Sequence, residues 1–343
     1  MRYEYIQFAK GYAIFTIMLF HVLQRLALPE ILQKAIVFGG TGVHLFFLLS
    51  GFGLALSKST DSIVGFYQRR LLKVWIPYVL ALTLSLAAAF TLHIFPDRWA
   101  AWWSGVGGWQ MFFPEYIESF GGHYWFISAI IQFYLIFPLL QKLYSKLNNP
   151  LIFCLLCLAV SVVWWMVVFY LDKGGIRTWN SCFLQFLWEF ALGMALAKTI
   201  PQQSRATTFL GQIRDQYWQP NQWYKWTFGG IVGAAIMIVM ILKTGKFGPV
   251  FNDIPALAGY GMLSVGIYFF CQRYFILANR FFLWVGEYSF GIYLIHILVL
   301  NLFILCLSSL GGQMGLLWIP VFVVLACWAG WGFGKGLRWL KLG

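Results

Sequence analysis

Histidine 21 lies deep in the first apolar run of the chain, Ile6 to His21, with Lys10 eleven positions before it. Charge at the centre of a bilayer costs about 3 kcal/mol even on the mildest scales, so an ionisable residue at such depth points to function. At about 100° and 1.5 Å per residue, eleven helical steps bring Lys10 and His21 onto one face, roughly 16 Å apart. A neutral imidazole there can take a proton from a hydroxyl or attack an acyl carbon itself. Lys10 adds a cation on the same track.

Further candidates follow along the chain. The second apolar run reads Gly42-Val-His44-Leu-Phe-Phe-Leu-Leu-Ser50-Gly51-Phe52, and His44 is expected at a depth where its ring could meet that of His21. A lone histidine in an apolar helix is ordinarily a packed core residue; two of them with Lys10 suggest a site. Ser50-Gly51 fits close helix packing as well as it fits catalysis. Arg69, Arg70 and Lys73 open the third run. With Arg70 and Lys73 on one helical face, the group suits a lipid headgroup or the phosphates of a cofactor. Gly121-Gly122-His123-Tyr-Trp125-Phe-Ile-Ser128 opens the fourth run, which continues through Gln132-Phe133-Tyr134. Glu189, Glu287 and His296 are the other ionisable groups in or near apolar runs singled out here. Glu189 is expected to pair with a cation or to stay protonated.

The elements that carry these residues are transmembrane helices. The 343 residues are 61% hydrophobic, 20% aromatic and 10% charged, with a mean hydropathy of +0.74, which excludes a water-soluble globule. Apolar runs long enough to span about 30 Å of hydrocarbon occur ten times, near 6–26, 35–57, 71–95, 123–145, 150–172, 180–198, 226–243, 254–272, 281–309 and 314–340. The chain is therefore expected to be one all-α polytopic bundle, residues 1–343, of about ten transmembrane helices. With the N-terminus inside, sixteen Lys and Arg fall on the inner side and seven on the outer. Both termini are thus predicted cytoplasmic. Anionic lipid accounts for most of the net charge of +13, so no nucleic-acid partner is implied.

The first run is too long for a signal-peptide core, and it is expected to remain as an anchor. Cys154-x-x-Cys157 has no second ligand pair and reads as two apolar thiols; no metal site is expected. The connection between the third and fourth runs holds Trp99, Trp102, Trp103, Trp109, Phe112, Phe113, Tyr116 and Phe120. It reads as an interfacial aromatic belt or as a surface on which sugar rings stack.

Taken in order, these motifs resemble the acyltransferase 3 family of integral membrane acyltransferases over nearly the whole chain. Lys10 to His21 resembles its basic-residue, ten-residue gap, histidine signature, and Phe46 to Phe52 its aromatic Ser-Gly stretch. Phe66 to Pro77 is similar to its Arg-x-x-Arg region, with Lys73 where arginine is commoner. His123 to Ser128 with Gln132 to Leu135, and Ser289 to His296, resemble its histidine-tryptophan and closing motifs. Many members carry a glutamate where this chain has Ile130, so no role for that glutamate is carried over.

The resemblance implies transfer of an acyl group, commonly acetyl, from cytoplasmic acyl-CoA to a hydroxyl of an extracytoplasmic or lipid-linked glycan. The protein would lie in a bacterial inner membrane, in the stand-alone form without a fused hydrolase-like domain. It implies His21 as the essential residue. In the mechanism expected from it, Arg69, Arg70 and Lys73 hold the donor phosphates and the pantetheine arm passes Lys10. His44 or His123 orients the His21 ring or stabilises the oxyanion, and Trp125, Ser128 and Tyr134 contact substrate. A transporter or flippase for a lipid-linked sugar or small anion, its path lined by Lys10, His21, His44 and Glu189, is the rival class. The matched internal halves common in transporters are not found.

Overall fold

The structure, a computed structural model, describes residues 2–57, 62–95, 98–113, 115–199, 219–245 and 247–340. Lys58, Arg205, Arg214, Lys246 and Lys341, five of the cations counted for orientation, lie outside these residues, as does the side chain of Arg2. Among the described residues sixteen α-helices run in order: α1 Arg2–Leu23, α2 Glu30–Ala35, α3 Val37–Gly40, α4 Gly42–Leu56, α5 Ile63–Leu92, α6 Arg98–Val106, α7 Trp125–Leu147, α8 Pro150–Tyr170, α9 Arg177–Asn180, α10 Leu187–Thr199, α11 Trp223–Lys243, α12 Gly248–Phe251, α13 Asp253–Tyr274, α14 Ile276–Glu287, α15 Ser289–Ser309 and α16 Ile319–Trp339. Among the described residues there is no strand. Helices satisfy their own backbone polar groups, which lipid cannot.

Nine helical segments among the described residues are long and apolar enough to cross a membrane, against ten apolar runs in the sequence. The difference lies at 180–198. There α10 has 13 residues, about 20 Å of helix against a hydrocarbon core of about 30 Å. The residues just before it form turns, with Gln185 N donating to Cys182 O and Phe186 N to Phe183 O, and Gln132 accepts from Phe183 N at 3.1 Å. Two other runs are broken. That at 35–57 bends at Ile36 and Thr41 between α2, α3 and α4, and Tyr288 divides α14 from α15.

Helix ends follow local chemistry. Asn149 caps α8 by accepting from Leu151 N and Ile152 N at 2.9 and 3.2 Å, with Pro150 at the first turn. Ser62 caps α5 through Gly65 N at 3.1 Å, and Asn148 ends α7 in the left-handed conformation.

Glycines set the closest helix contacts. At Gly51 a Cβ would strike the Phe190 carbonyl, and at Gly193 that of Leu48, so α4 and α10 approach backbone to backbone. Gly11 and Gly286 do the same where α1 meets α14. Small residues allow such packing where lipid removes the hydrophobic drive between helices. The result is a core in which α1 is buried between α4, α13, α14 and α15, while α8 and α11 present mostly exposed apolar faces.

Candidate active site

His21 sits two residues from the end of α1, at the wall of a cavity of about 690 Å³. Two further imidazoles pack near its ring, and of these His123 lines the cavity while His296 is buried away from the lining. His123 reaches it from the turn before α7, and His296 from the third turn of α15. Ring centroids are 5.3 Å apart for His21 and His296, 6.3 Å for His21 and His123, and 4.7 Å for His123 and His296. His123 and His296 are buried. Gly121, at φ +124°, makes the turn that swings His123 inward, since a side chain there would meet the His123 ring. The Tyr293 hydroxyl donates to the His123 carbonyl and ties that turn to α15.

The partners of these rings fix their protons. His296 Nδ1 lies 2.7 Å from the Tyr293 carbonyl and 3.2 Å from that of Ile292. A carbonyl only accepts, so Nδ1 donates and Nε2 keeps the lone pair. His21 Nδ1 is 3.3 Å from Gln24 Oε1, and its Nε2 likewise keeps a lone pair. An imidazole of that form can serve as base or nucleophile.

His44 lines the same cavity but belongs to a second cluster, and among the described residues its ring makes no contact with that of His21. The first turn of α4 meets α1 at Ala13, where Gly42 abuts the backbone, roughly two helical turns before His21. His44 Nδ1 shares a hydrogen bond with Glu189 Oε1 at 2.6 Å, and its Nε2 is 4.0 Å from Asp253 Oδ1. Gln185 Nε2 donates to Asp253 Oδ2 at 2.6 Å and to Val250 O at 3.1 Å. Glu189 and Gln185 are buried.

The other candidate residues divide by position. Trp125 lines the cavity, stacks on Phe186 at 5.7 Å and lies beneath the Arg177 guanidinium at 5.5 Å. Ser128 is buried behind it, donating to Gly108 O at 3.4 Å. Tyr134, two helical turns further along α7, lies within electrostatic reach of Arg70. Arg69 and Lys73 are exposed on α5, and Arg70 is half-buried. Lys10 is half-buried and has no hydrogen bond or ion pair among the described residues. None of Lys10, Arg69, Arg70, Lys73, Ser128 and Tyr134 is among the described residues that line the cavity. Of the aromatic connection, Trp99, Trp103, Trp109, Phe112 and Phe113 are exposed and stand away from the cavity lining. Cys154 and Cys157 are free thiols in α8, and Glu287 pairs with Arg338 at 3.0 Å.

Four groups at the cavity escaped the sequence reading: Arg25, Glu118, Arg177 and Asp253. Asp253 carried a signal, since it is an acid at the edge of an apolar run. Arg25 closes the first run, and Glu118 and Arg177 stand in connections, where charge is ordinary. Burial and the Glu118 carboxylate act in opposite directions on Arg177, and burial, the larger effect, brings its guanidinium below the usual arginine range.

Compared with known proteins, residues 3–335 match the family described as an acyltransferase domain. Acyltransferase MdmB of Streptomyces mycarofaciens is 28% identical over 179 residues, which cover 46% of this chain and 46% of that relative. The chain thus aligns with under half the length of that relative. No solved structure matches.

Proposed function

The chain belongs to the acyltransferase 3 family, a family of membrane acyltransferases, and we propose that it moves a short acyl group, acetyl in the simplest case, from cytoplasmic acyl-CoA to a hydroxyl of an extracytoplasmic or lipid-linked glycan. The observation that carries this reading is the gathering of the His21, His123 and His296 rings, the first two lining one cavity and His296 buried against them, with the Nε2 lone pair of His21 uncommitted.

In this reading both termini face the cytoplasm of a bacterial inner membrane, and the cavity opens to the outside. Arg69, Arg70 and Lys73 meet the donor phosphates at the inner surface, where guanidinium forks match phosphate oxygens. Lys10, about 16 Å below His21 on one helix face, lies along the pantetheine arm. The polar wall of the cavity, with Asn180, Asn252, Asn301 and Asp253, offers partners for glycan hydroxyls. Trp125 supplies a ring against which a sugar packs. His44 contributes to the acceptor side of the cavity, and Ser128 and Tyr134 support Trp125 and the donor side of α7. The chemistry uses no metal.

Purified protein given radiolabelled acetyl-CoA, with and without a glycan acceptor, tests the proposal. Acceptor-dependent CoA release with label in the glycan is expected; no CoA release under any condition overturns it.

A further inference from the structure

We propose that His123 is the general base that takes the proton from the acceptor hydroxyl, positioned by His296, and that His21 carries the acyl group; this rests on the acyl-transfer reading above. The proton inventory of the three rings leads to this division. His296 Nδ1–H is held by the Tyr293 and Ile292 carbonyls, so its Nε2 can only accept. That atom is buried and has no hydrogen-bond partner among the described residues. Two polar rings stand beside it, His123 at 4.7 Å and His21 at 5.3 Å between centroids. The His21 N–H is committed to Gln24.

His123 is the neighbouring ring that we assign as the donor to His296 Nε2. Both its nitrogens are buried and form no hydrogen bond of ordinary geometry among the described residues, although the Leu294 and Tyr293 backbones lie beside the ring. One N–H given to His296 Nε2 leaves a lone pair on its other nitrogen, and His123 lines the cavity. The sequence carbonyl, His296, His123 then does what a carboxylate does behind a catalytic histidine: it fixes tautomer and orientation. It does so without a charge, which suits hydrocarbon. Two imidazoles with free lone pairs thus address one cavity 6.3 Å apart, one placed to bond carbon and one to accept a proton.

The steps balance. His21 Nε2 bonds to the thioester carbon as the C–S bond breaks and CoA leaves as thiolate. The acceptor oxygen then bonds to the acyl carbon as the C–N bond to His21 breaks, and its proton passes to His123. That proton ends on the CoA sulfur, so acyl-CoA and alcohol give ester and CoA thiol with nothing else consumed.

Two small acceptors separate the roles, because glycerol needs a base and hydroxylamine attacks an acyl carbon without one. With the full-length enzyme in lipid nanodiscs and acetyl-CoA as donor, His123→Asn is expected to lower glycerol ester formation by about 100-fold or more and hydroxamate formation by less than about threefold. His21→Ala should lose both products. His296→Leu should follow His123→Asn, and His296→Gln, whose amide oxygen can accept from His123, should recover much of the ester rate. The assignment is overturned if His123→Asn lowers both products in parallel or leaves ester formation intact. It is overturned equally if His296→Gln is no better than His296→Leu, or if the unaltered enzyme forms hydroxamate but no ester. Failure of the acyl-transfer reading looks different: the unaltered enzyme then releases CoA with neither acceptor.

Discussion

The imidazole of His44 and the carboxyl of Glu189 share a hydrogen bond, Nδ1 to Oε1, across 2.6 Å, and the Glu189 side chain is inaccessible to solvent. This pair joins α4 to α10 beside the glycine contacts of Gly51 and Gly193. Removing one partner of such a buried hydrogen bond strands the other and costs about 1–3 kcal/mol, whereas replacing both by apolar groups costs much less. Glu189→Ala should therefore lower the thermal midpoint of the detergent-solubilised protein sharply, and the double replacement His44→Leu with Glu189→Leu should restore most of it. Equal midpoints for the single and double variants would exclude a stabilising pair.

His21→Ala should abolish CoA release from acetyl-CoA while membrane insertion and the thermal midpoint stay close to those of the parent. The ring ends α1 at a cavity wall, and its nearest hydrogen-bond partner is the exposed Gln24. Normal turnover by this variant would remove His21 from the chemistry.

Arg70→Ala and Lys73→Ala should act on the donor. A charge-assisted contact to phosphate contributes about 1.5–3 kcal/mol, so each variant is expected to need roughly tenfold or more acyl-CoA for half-maximal rate, with kcat little changed. The check is a titration of rate against acetyl-CoA. An unchanged KM in both variants would place the phosphates elsewhere.

Gly51→Ala and Gly193→Ala should each cost about 1–3 kcal/mol by overpacking, because the added Cβ meets a carbonyl of the facing helix. Gly53, two residues on and with open space around it, is the internal comparison. Gly53→Ala should be neutral or gain up to about 1 kcal/mol from helix propensity. Fluorescence-detected size exclusion after a heat step would rank the three.

Much of the fold and part of the site were legible in the order of residues alone. Hydrocarbon penalises each buried charge locally, so the apolar runs and the isolated His21, His44 and Glu189 stand out without knowledge of their neighbours. The positions of the breaks did not stand out. Tyr288 and the turns before α10 interrupt runs that read as mainly apolar, and composition does not register a turn whose backbone is satisfied by a distant Gln132.

Which histidines meet was decided by tertiary structure. His44 looked like the neighbour of His21 because both were expected at a similar depth, yet the Gly42 contact sets α4 against Ala13, and Glu189 takes the ring. His123 and His296, 102 and 275 residues away along the chain, reach His21 instead. The cost of burying a polar group belongs to that residue and can be read from sequence. The partner that offsets the cost comes from another helix, chosen by packing and by which carbonyls and carboxylates arrive beside it.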